Sequence, residues 1–444
     1  MNKSHNVLVF TEGITKRKEY IFSFLLSDIL GVGYSFEEDL TLFTAYNGPK
    51  INYSQQEVDG VLQFVPHGLL NENHIKQPDR LFFGLNDFES LSSNKEENTF
   101  LFDPFAAAFY LVTRYEEYLS ECKDKYGRFP AEESSAFHEG FLDRPVIDQW
   151  AYMIGGLLES IYQDFNVSPR KFSFLNTIDI DNAYAYKGKG FGRNMGGFVK
   201  SLIQGRFKDA VDRIKVLTDN IEDPYDTYGY ILKTCSDISA ETIIFFLLGN
   251  YGSLDKNLSH DSPELQKLIQ GLGRVFPLGL HPSYASNMHQ ELLEIEYNRL
   301  KNAINSDDIK SRQHYLVLDL PVTYDRLDSI GVKHEFSMGY PDKIGFRAST
   351  CTTFNFFNLD KNRETGLLIY PFCIMDITLK DYLHLSRSES TEVIDNMVEK
   401  VEEVGGNFIS IWHNESLSDK GEWIGWRFVY EKMLGVLKEK QNSK

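Results

Sequence analysis

From residue 171 to the end of the chain, short apolar segments alternate with longer amphipathic segments. The short segments have no polar face, which is typical of strands buried on both faces of a parallel sheet. The longer segments have the spacing of helices that cover such a sheet. The predicted strands lie at 171–179, 242–248, 275–281, 314–320, 334–339, 367–374 and 407–412. The predicted helices lie at about 194–217, 226–238, 262–272, 287–304, 323–331, 378–404 and 425–439. This pattern predicts an α/β domain with a parallel, barrel-like sheet.

The part of the chain before residue 169 has the pattern of a smaller α/β domain. Its predicted strands lie at 6–10 and near 40–46, 60–64 and 80–84. Its predicted helices lie at 16–31, at 103–118, where Asp-Pro is a good start signal, and at about 148–165. The polar segment 166–169 ends in a proline and separates the two patterns. The predicted domains are therefore 1–168 and 169–444.

Composition narrows the classes of protein to which the chain can belong. Of its 444 residues, 42% are hydrophobic and 14% aromatic, which is enough for a folded core. The net charge of −18 argues against broad binding to nucleic acid or to an anionic membrane surface. The best local basic cluster, Lys187–Arg193, is short and rich in glycine. No apolar segment has transmembrane length, and the four cysteines are scattered without a Cys-x-x-Cys motif. We therefore expect a cytoplasmic protein that is not embedded in a membrane and does not bind nucleic acid.

Polar residues that titrate or bind metals occur where several of the predicted strands end. Asp179 and Asp181 lie two residues apart at the end of the first strand, so both carboxylates should face the same spot. Two like charges this close repel each other unless a cation or a shared proton intervenes. The later strands are followed by His281, Arg347, Asp376 and His413. The carboxyl ends of parallel strands form the rim on which barrel enzymes assemble their active sites, so the sequence predicts a site there.

Four of these segments, in this order, resemble motifs of the polysaccharide deacetylases of carbohydrate esterase family 4. They are Thr177-Ile-Asp179-Ile-Asp181, His281-Pro-Ser283, Gly345-Phe-Arg347-Ala348 and Ile409-Ser-Ile-Trp-His413. The runs Ser311–His314, Met338–Tyr340 and Met375–Asp376 also resemble a bacterial subfamily with an extra N-terminal α/β domain, which is often linked with surface-polysaccharide synthesis. The resemblance covers most of the chain. It implies an irregular (β/α)7-type barrel over residues 169–444.

The resemblance implies a metal-dependent hydrolase that removes an acetyl or similar acyl group from an amino sugar of a surface polysaccharide or its precursor. In such an enzyme Asp179 is the catalytic base, Arg347 holds that base, and His413 protonates the leaving amine. Asp181 and His281 would bind a divalent metal ion, and their ligand types suit zinc. The partner that the resemblance implies is an N-acetylated carbohydrate substrate.

One position departs from the pattern of the family. A second metal-binding histidine is usual four residues after the first, but Ala285 stands there. The candidates for a third ligand are Ser286, His289, His260 and a water molecule. We interpret His314 and Asp376, which also lie on the predicted rim, as structural residues.

Two alternative functions stay open at the level of sequence. The missing histidine favours a non-catalytic carbohydrate-binding or assembly protein on the same fold. A phosphatase of the Asp-x-Asp class, with Asp179 as nucleophile, ranks lower. Such a phosphatase does not need His281, Arg347 or His413 at the ends of strands.

Overall fold

Two mainly parallel β-sheets form the framework of the protein. The computed structural model describes residues 6–78, 99–100, 102–236 and 242–442. The first sheet is entirely parallel, with the strand order β2-β1-β3-β4-β5. Its strands are β1 (Asn6–Thr11), β2 (Gly33–Glu37), β3 (Lys50–Tyr53), β4 (Leu62–Phe64) and β5 (Thr99–Phe100).

The helices of the first part pack on this sheet through large apolar side chains. Every residue of Pro104–Val112 is buried, and its Phe105 ring stacks on Phe22 with 3.9 Å between the ring centroids. Among the described residues of this part, the α-helices are Lys16–Phe22, Leu40–Ala45, Pro104–Val112, Tyr115–Leu119, Ser135–His138 and Val146–Ile161. A π-helical segment, Ser23–Ile29, continues the first of them.

The structure confirms most of the elements predicted for the first part, with two differences. The segment near 40–46 is a helix and not a strand, because the side chain of Asp39 accepts hydrogen bonds from the N–H groups of Thr41 and Leu42 and so starts a helical turn. The predicted helix at 103–118 is broken at Arg114, whose φ of 55° is not helical. The predicted strand near 80–84 lies outside the described residues.

The second sheet has the strand order β11-β12-β10-β9-β8-β7-β6-β14-β13. All its neighbouring strands are parallel except β11 and β12. Its strands are β6 (Ser173–Ile180), β7 (Thr242–Leu247), β8 (Leu278–His281), β9 (Lys310–Ser311), β10 (His334–Glu335), β11 (Phe354–Asn358), β12 (Arg363–Ile369), β13 (Ile374–Met375) and β14 (Asn407–His413). The protein is thus a mixed α/β structure with parallel sheets, and closure of the second sheet into a barrel stays a prediction.

Helices follow most strands of the second sheet, as the alternating pattern predicted. They are Gly190–Ile203, Phe207–Leu217, Tyr228–Ser236, Pro263–Leu272, Gln290–Ile304, Val322–Ser329, Arg387–Glu403 and Trp426–Asn442. None of the helices in the described part of the chain combines the length and the apolar character that crossing a bilayer requires.

The largest error of the sequence prediction in this part concerns residues 310–320. The predicted strand at 314–320 is absent, and a two-residue strand, β9, lies just before it. Tyr315 and Leu316 have φ values of 60° and 56°, which an extended strand cannot contain. The chain therefore turns sharply at Tyr315 and Leu316, shortly after β9.

One continuous cluster of buried apolar side chains joins the two sheets, and a buried ionic network crosses the same junction. The Arg347 guanidinium donates to both carboxylate oxygens of Glu117, at 2.9 and 2.6 Å. Arg114 donates to Glu117 at 2.7 Å and to the hydroxyl of Tyr340 at 3.0 Å. Burial alone would raise the pKa of Glu117, but Arg347 and Arg114 outweigh it and lower the pKa to about 2. Arg347 therefore fastens the second part of the chain to the first.

We expect Glu117→Gln to lower the free energy of unfolding by about 3 to 5 kcal/mol, because it leaves two buried guanidinium groups without their counter-charge. Urea denaturation at neutral pH measures the change. Glu132→Gln is the matched control, because the Glu132–Lys343 pair is partly exposed and should contribute about 1 kcal/mol or less.

A comparison of wild type with Glu117→Gln at different pH values provides a second test. The folded chain lowers the pKa of Glu117 from 4.5 to about 2, so the stabilisation is complete above pH 4.5 and is lost as the pH falls toward 2. The stability difference between wild type and Glu117→Gln should therefore narrow over that window. A difference that stays constant from neutral pH downward would contradict the assignment.

Candidate metal centre

The parallel direction of the second sheet brings the ends of five strands to one edge. Asp179, near the end of β6, pairs in register with His413, the last residue of β14. His281 is the last residue of β8, two strands away on the other side of β6. The chain leaves β9 and β13 at the same edge, where Arg312, His314 and Asp376 follow. Strand order therefore collects side chains that are far apart in sequence.

Asp181, His281 and His314 form the centre of this edge. One ligand atom from each of the three lies within 4.8 Å of the other two. His281 Nε2 lies 3.2 Å from Asp181 Oδ1, and His314 Nε2 lies 3.5 Å from Asp181 Oδ2. One carboxylate and two imidazoles are a ligand set that suits zinc and similar divalent ions and leaves further coordination positions open.

Both imidazoles are oriented by hydrogen bonds at their Nδ1 atoms. His281 Nδ1 donates to the backbone carbonyl of Arg312. His314 Nδ1 is hydrogen-bonded to Asp255 Oδ1 at 2.9 Å. In each ring the Nδ1 atom is engaged, so the Nε2 atom faces Asp181. Outer hydrogen bonds of this kind fix the tautomer and the direction of metal-binding histidines.

Asp181 behaves electrostatically as a partner for a cation. Its Oδ1 is a buried oxygen with no hydrogen-bond donor among the described residues. Burial disfavours its charge, yet His314, His281 and His413 outweigh burial and hold the pKa of Asp181 well below its usual range. In His314, burial opposes protonation, but Asp181 and Asp255 raise the pKa of the imidazole to about 9. A metal ion would replace these protons as the counter-charge, so the three residues fit a divalent cation.

Asp179 lies beside this cluster and is held by a different cation from the one predicted. Its Oδ1 accepts from Arg312 Nη1 at 2.9 Å, and its Oδ2 lies 3.9 Å from His281 Nε2. Arg312 is fully buried and also donates to Thr177 Oγ1 at 2.7 Å and to the carbonyl of Phe336 at 3.1 Å. These three acceptors fix the guanidinium and, through it, one oxygen of Asp179.

His413 is the remaining titratable group of the site. Its Nδ1 is hydrogen-bonded to Asp376 Oδ1 at 2.8 Å, and its backbone N–H donates to Asp376 Oδ2 at 2.8 Å. Its Nε2 lies 3.9 Å from Asp181 Oδ2. Burial opposes protonation, but Asp376, followed by Asp181 and Asp179, raises the pKa of His413 to about 10. The imidazole thus presents Nε2–H to the site.

The side chains surround a cavity of about 180 Å³. Leu316, Met375 and Ile377 contribute apolar side chains to its lining, and Tyr382, which is 41% exposed, also lines it. Arg128, from the first part of the chain, also lines the cavity and donates to the carbonyl of Tyr315 at 3.1 Å. Both parts of the chain therefore contribute to the walls.

The structure brings four of the five predicted site residues together: Asp179, Asp181, His281 and His413. The predicted pairing of Arg347 with Asp179 is wrong, because Arg347 is engaged by Glu117 at the junction of the two parts, and Arg312 holds Asp179 instead. The roles of the five residues in a reaction stay predictions.

Sequence reasoning did not identify His314 as a ligand. Ser286, a predicted alternative, donates to the carbonyl of Ser283. His289 is exposed and His260 is half-buried, and neither belongs to the cluster. His314 lies three residues after β9, the strand next to β8. Recognising that short strand would have placed His314 on the same edge as His281. The interpretation of Asp376 as purely structural also missed its contact with His413.

Comparison with known proteins adds limited information. Residues 7–163 match a family model described as a family of unknown function, DUF7033. No curated protein matches the chain. Among solved structures, a Mycobacterium smegmatis protein described as a "putative polysaccharide deacetylase" aligns over 60% of this chain and 84% of its own, with 9% identity and a TM-score of 0.39.

We expect His314→Ala to weaken zinc binding by about 100-fold or more, because loss of a ligand exceeds the effect of losing an outer hydrogen bond. Competition with a chromophoric chelator measures the affinity. His289→Ala is the control, because His289 is exposed. If His289→Ala weakened zinc binding and His314→Ala did not, the proposed ligand set would be wrong.

Proposed function

We propose that the protein is a metal-dependent hydrolase that removes an acetyl or similar acyl group from an amino sugar of a surface polysaccharide or its precursor. One observation carries the proposal. An Asp-His-His cluster that fits a divalent cation lies beside a second carboxylate, Asp179, and an imidazole that is hydrogen-bonded to a carboxylate, His413. Amide hydrolysis needs such a set: a cation site, a base and an acid. The segments that resemble carbohydrate deacetylases include all of these residues, with His314 and Asp376 in the runs that resemble the bacterial subfamily.

Asp181, His281 and His314 would hold the metal ion, for which zinc is our proposal. When bound, such an ion supplies Lewis acidity to an acyl carbonyl and acidifies water. Asp179 is placed to accept a proton from the attacking water, since one of its oxygens is engaged by Arg312 and the other faces the cluster.

His413 is placed to protonate the leaving amine. Its Nδ1 is occupied by Asp376, so the proton available to a substrate is on Nε2, which faces Asp181. Asp376 favours the charged imidazole and fixes the orientation of the ring, which an acid must keep throughout turnover. In this scheme Arg312 and Asp376 are positioning residues, whereas Asp179 and His413 are catalytic residues.

The cavity suits a small acyl group attached to a larger ring. About 180 Å³ is enough for an acetamido group, with Leu316, Met375 and Ile377 against the methyl. In this proposal the partly exposed Tyr382 provides an aromatic ring against which a sugar ring can pack. An irregular (β/α)7-type barrel and a cytoplasmic location belong to this proposal as predictions.

The alternative of a non-catalytic carbohydrate-binding protein rested on the missing second histidine. His314 supplies that donor from another strand end, so the argument for lost hydrolysis is weaker. The phosphatase alternative assigns Asp179 as nucleophile, but it gives the His413–Asp376 pair no role in the reaction. We therefore favour the deacylase.

We expect Asp179→Asn to lower kcat for acetate release from N-acetylated amino sugars by about 100- to 10,000-fold, the usual contribution of a positioned base. Zinc content should stay unchanged, because Asp179 is not a member of the ligand cluster. Asp308→Asn, at an exposed surface carboxylate, is the control.

Three results of that experiment would contradict the proposal. Unchanged acetate release in Asp179→Asn would exclude the base role. Undiminished acetate release after complete removal of metal would exclude the metal from the mechanism. Release of phosphate from sugar phosphates that depends on Asp179 would favour the phosphatase.

We expect Asp376→Asn to lower kcat for amide substrates by about 100-fold, with a much smaller effect on 4-nitrophenyl acetate. The variant loses the negative charge that keeps His413 protonated, and the nitrophenolate leaving group needs no proton. Steady-state rates for the two substrate types provide the measurement. An equal loss with both substrates would indicate a structural role for Asp376 only.

A further inference from the structure

The helical hairpin 190–217 exposes an apolar surface to solvent. Ten of the 21 exposed large apolar side chains of the described residues lie between Phe191 and Ile221. Phe191 and Ile203 are each 81% exposed, and Phe207 is 65% exposed. Such a concentration on one segment exceeds the scattered exposure that is normal for a surface and indicates an interaction site.

The first helix of the hairpin reverses the usual arrangement of a surface helix. Its buried residues, Asn194 and Ser201, are polar, whereas Met195 and Val199 point to solvent. Asn194 donates to the carbonyl of Tyr186 and accepts from Arg213, so the inward face is held by polar contacts. The outward apolar face is therefore not part of the core of this chain.

The hairpin is attached to the body by its basic residues. Arg193 donates to the carbonyls of Asn257 and Lys256, each at 3.0 Å, and lies over the ring of Tyr251. The hairpin follows Asp181 directly through the loop 181–189. The loop 181–189 therefore connects the hairpin to the strand that carries Asp179.

The charge of the hairpin is opposite to that of the whole protein. Residues 190–217 contain six basic and two acidic side chains in a chain whose net charge is −18. Lys208 and Lys215 are exposed at helix positions next to Val211, three residues before it and four after it. The net charge of the whole chain argues against binding to an anionic membrane surface. The local excess of basic side chains on this hairpin favours such binding.

We propose that the hairpin 190–217 docks the protein on an anionic lipid bilayer, with its apolar side chains in the interface and its lysines at the lipid headgroups. A second copy of the chain fits less well, because a two-fold contact through this surface would place its basic residues against the same basic residues. Amphipathic helices with lysines beside an apolar stripe bind lipid in this way.

Vesicle flotation of the full-length protein tests the docking. Wild type should float with vesicles that contain phosphatidylglycerol and phosphatidylcholine, and salt should release it from them. It should not float with vesicles of phosphatidylcholine alone.

The double variant Ile203→Ser/Phe207→Ser should bind about tenfold or more weakly, because two large apolar side chains no longer enter the interface. Lys208→Glu/Lys215→Glu should lose the preference for phosphatidylglycerol. Phe428→Ser, at an exposed aromatic side chain on the last helix, should bind as wild type does.

The measurement needs no substrate and can be repeated with Asp179→Asn, so it is independent of the proposed hydrolase activity. Far-UV circular dichroism and thermal unfolding verify that each variant is folded. Absence of flotation with phosphatidylglycerol vesicles, or equal flotation of wild type and the serine double variant, would overturn the proposal. A wild-type dimer that the serine substitutions convert to a monomer would assign the surface to a second copy instead.

Discussion

The half-buried carboxylate of Asp181 is the constraint around which the candidate site is arranged. Its Oδ1 atom is shielded from water, which disfavours the negative charge unless opposite charge is close by. The imidazole of His314, 3.5 Å from Asp181 Oδ2, supplies positive charge, and His281 Nε2 lies 3.2 Å from Asp181 Oδ1. Each of these two rings is oriented by a hydrogen bond at Nδ1. With one Asp181 oxygen left without a donor, the cluster has the electrostatics of a cation site.

The outer contacts of this cluster draw on distant parts of the chain. Arg312 holds Asp179 while its own backbone carbonyl orients His281, so one residue positions both a proposed base and a proposed ligand. Asp376 plays a similar part for His413. The first part of the chain contributes Arg128 to the cavity wall. The site is therefore rigid because its supports are buried and mutually bonded.

Sequence patterns predicted the α/β class and most of the strands, because burial on both faces leaves a recognisable apolar run. The patterns gave wrong predictions where an element is too short to show a pattern, or where a local side-chain contact determines the structure. β9 has two residues, too few for a pattern, and its omission hid His314. At 40–46 the chain forms a helix and not a strand, because the side chain of Asp39 caps the N-terminus of the helix. Arg347 was assigned to the site on resemblance, although its partner Glu117 lies 230 residues earlier in the chain.

The sequence by itself determined that carboxylates and imidazoles would end parallel strands, since strand direction follows from the alternation of strands and helices. Only the tertiary structure decided which of them meet. Strand order places β14 and β8 on either side of β6, and the hydrogen bond to Asp255 orients His314, whose Nε2 lies 3.5 Å from Asp181. Contacts between strand ends depend on distances of a few ångströms, which strand order and loop geometry control and sequence spacing does not.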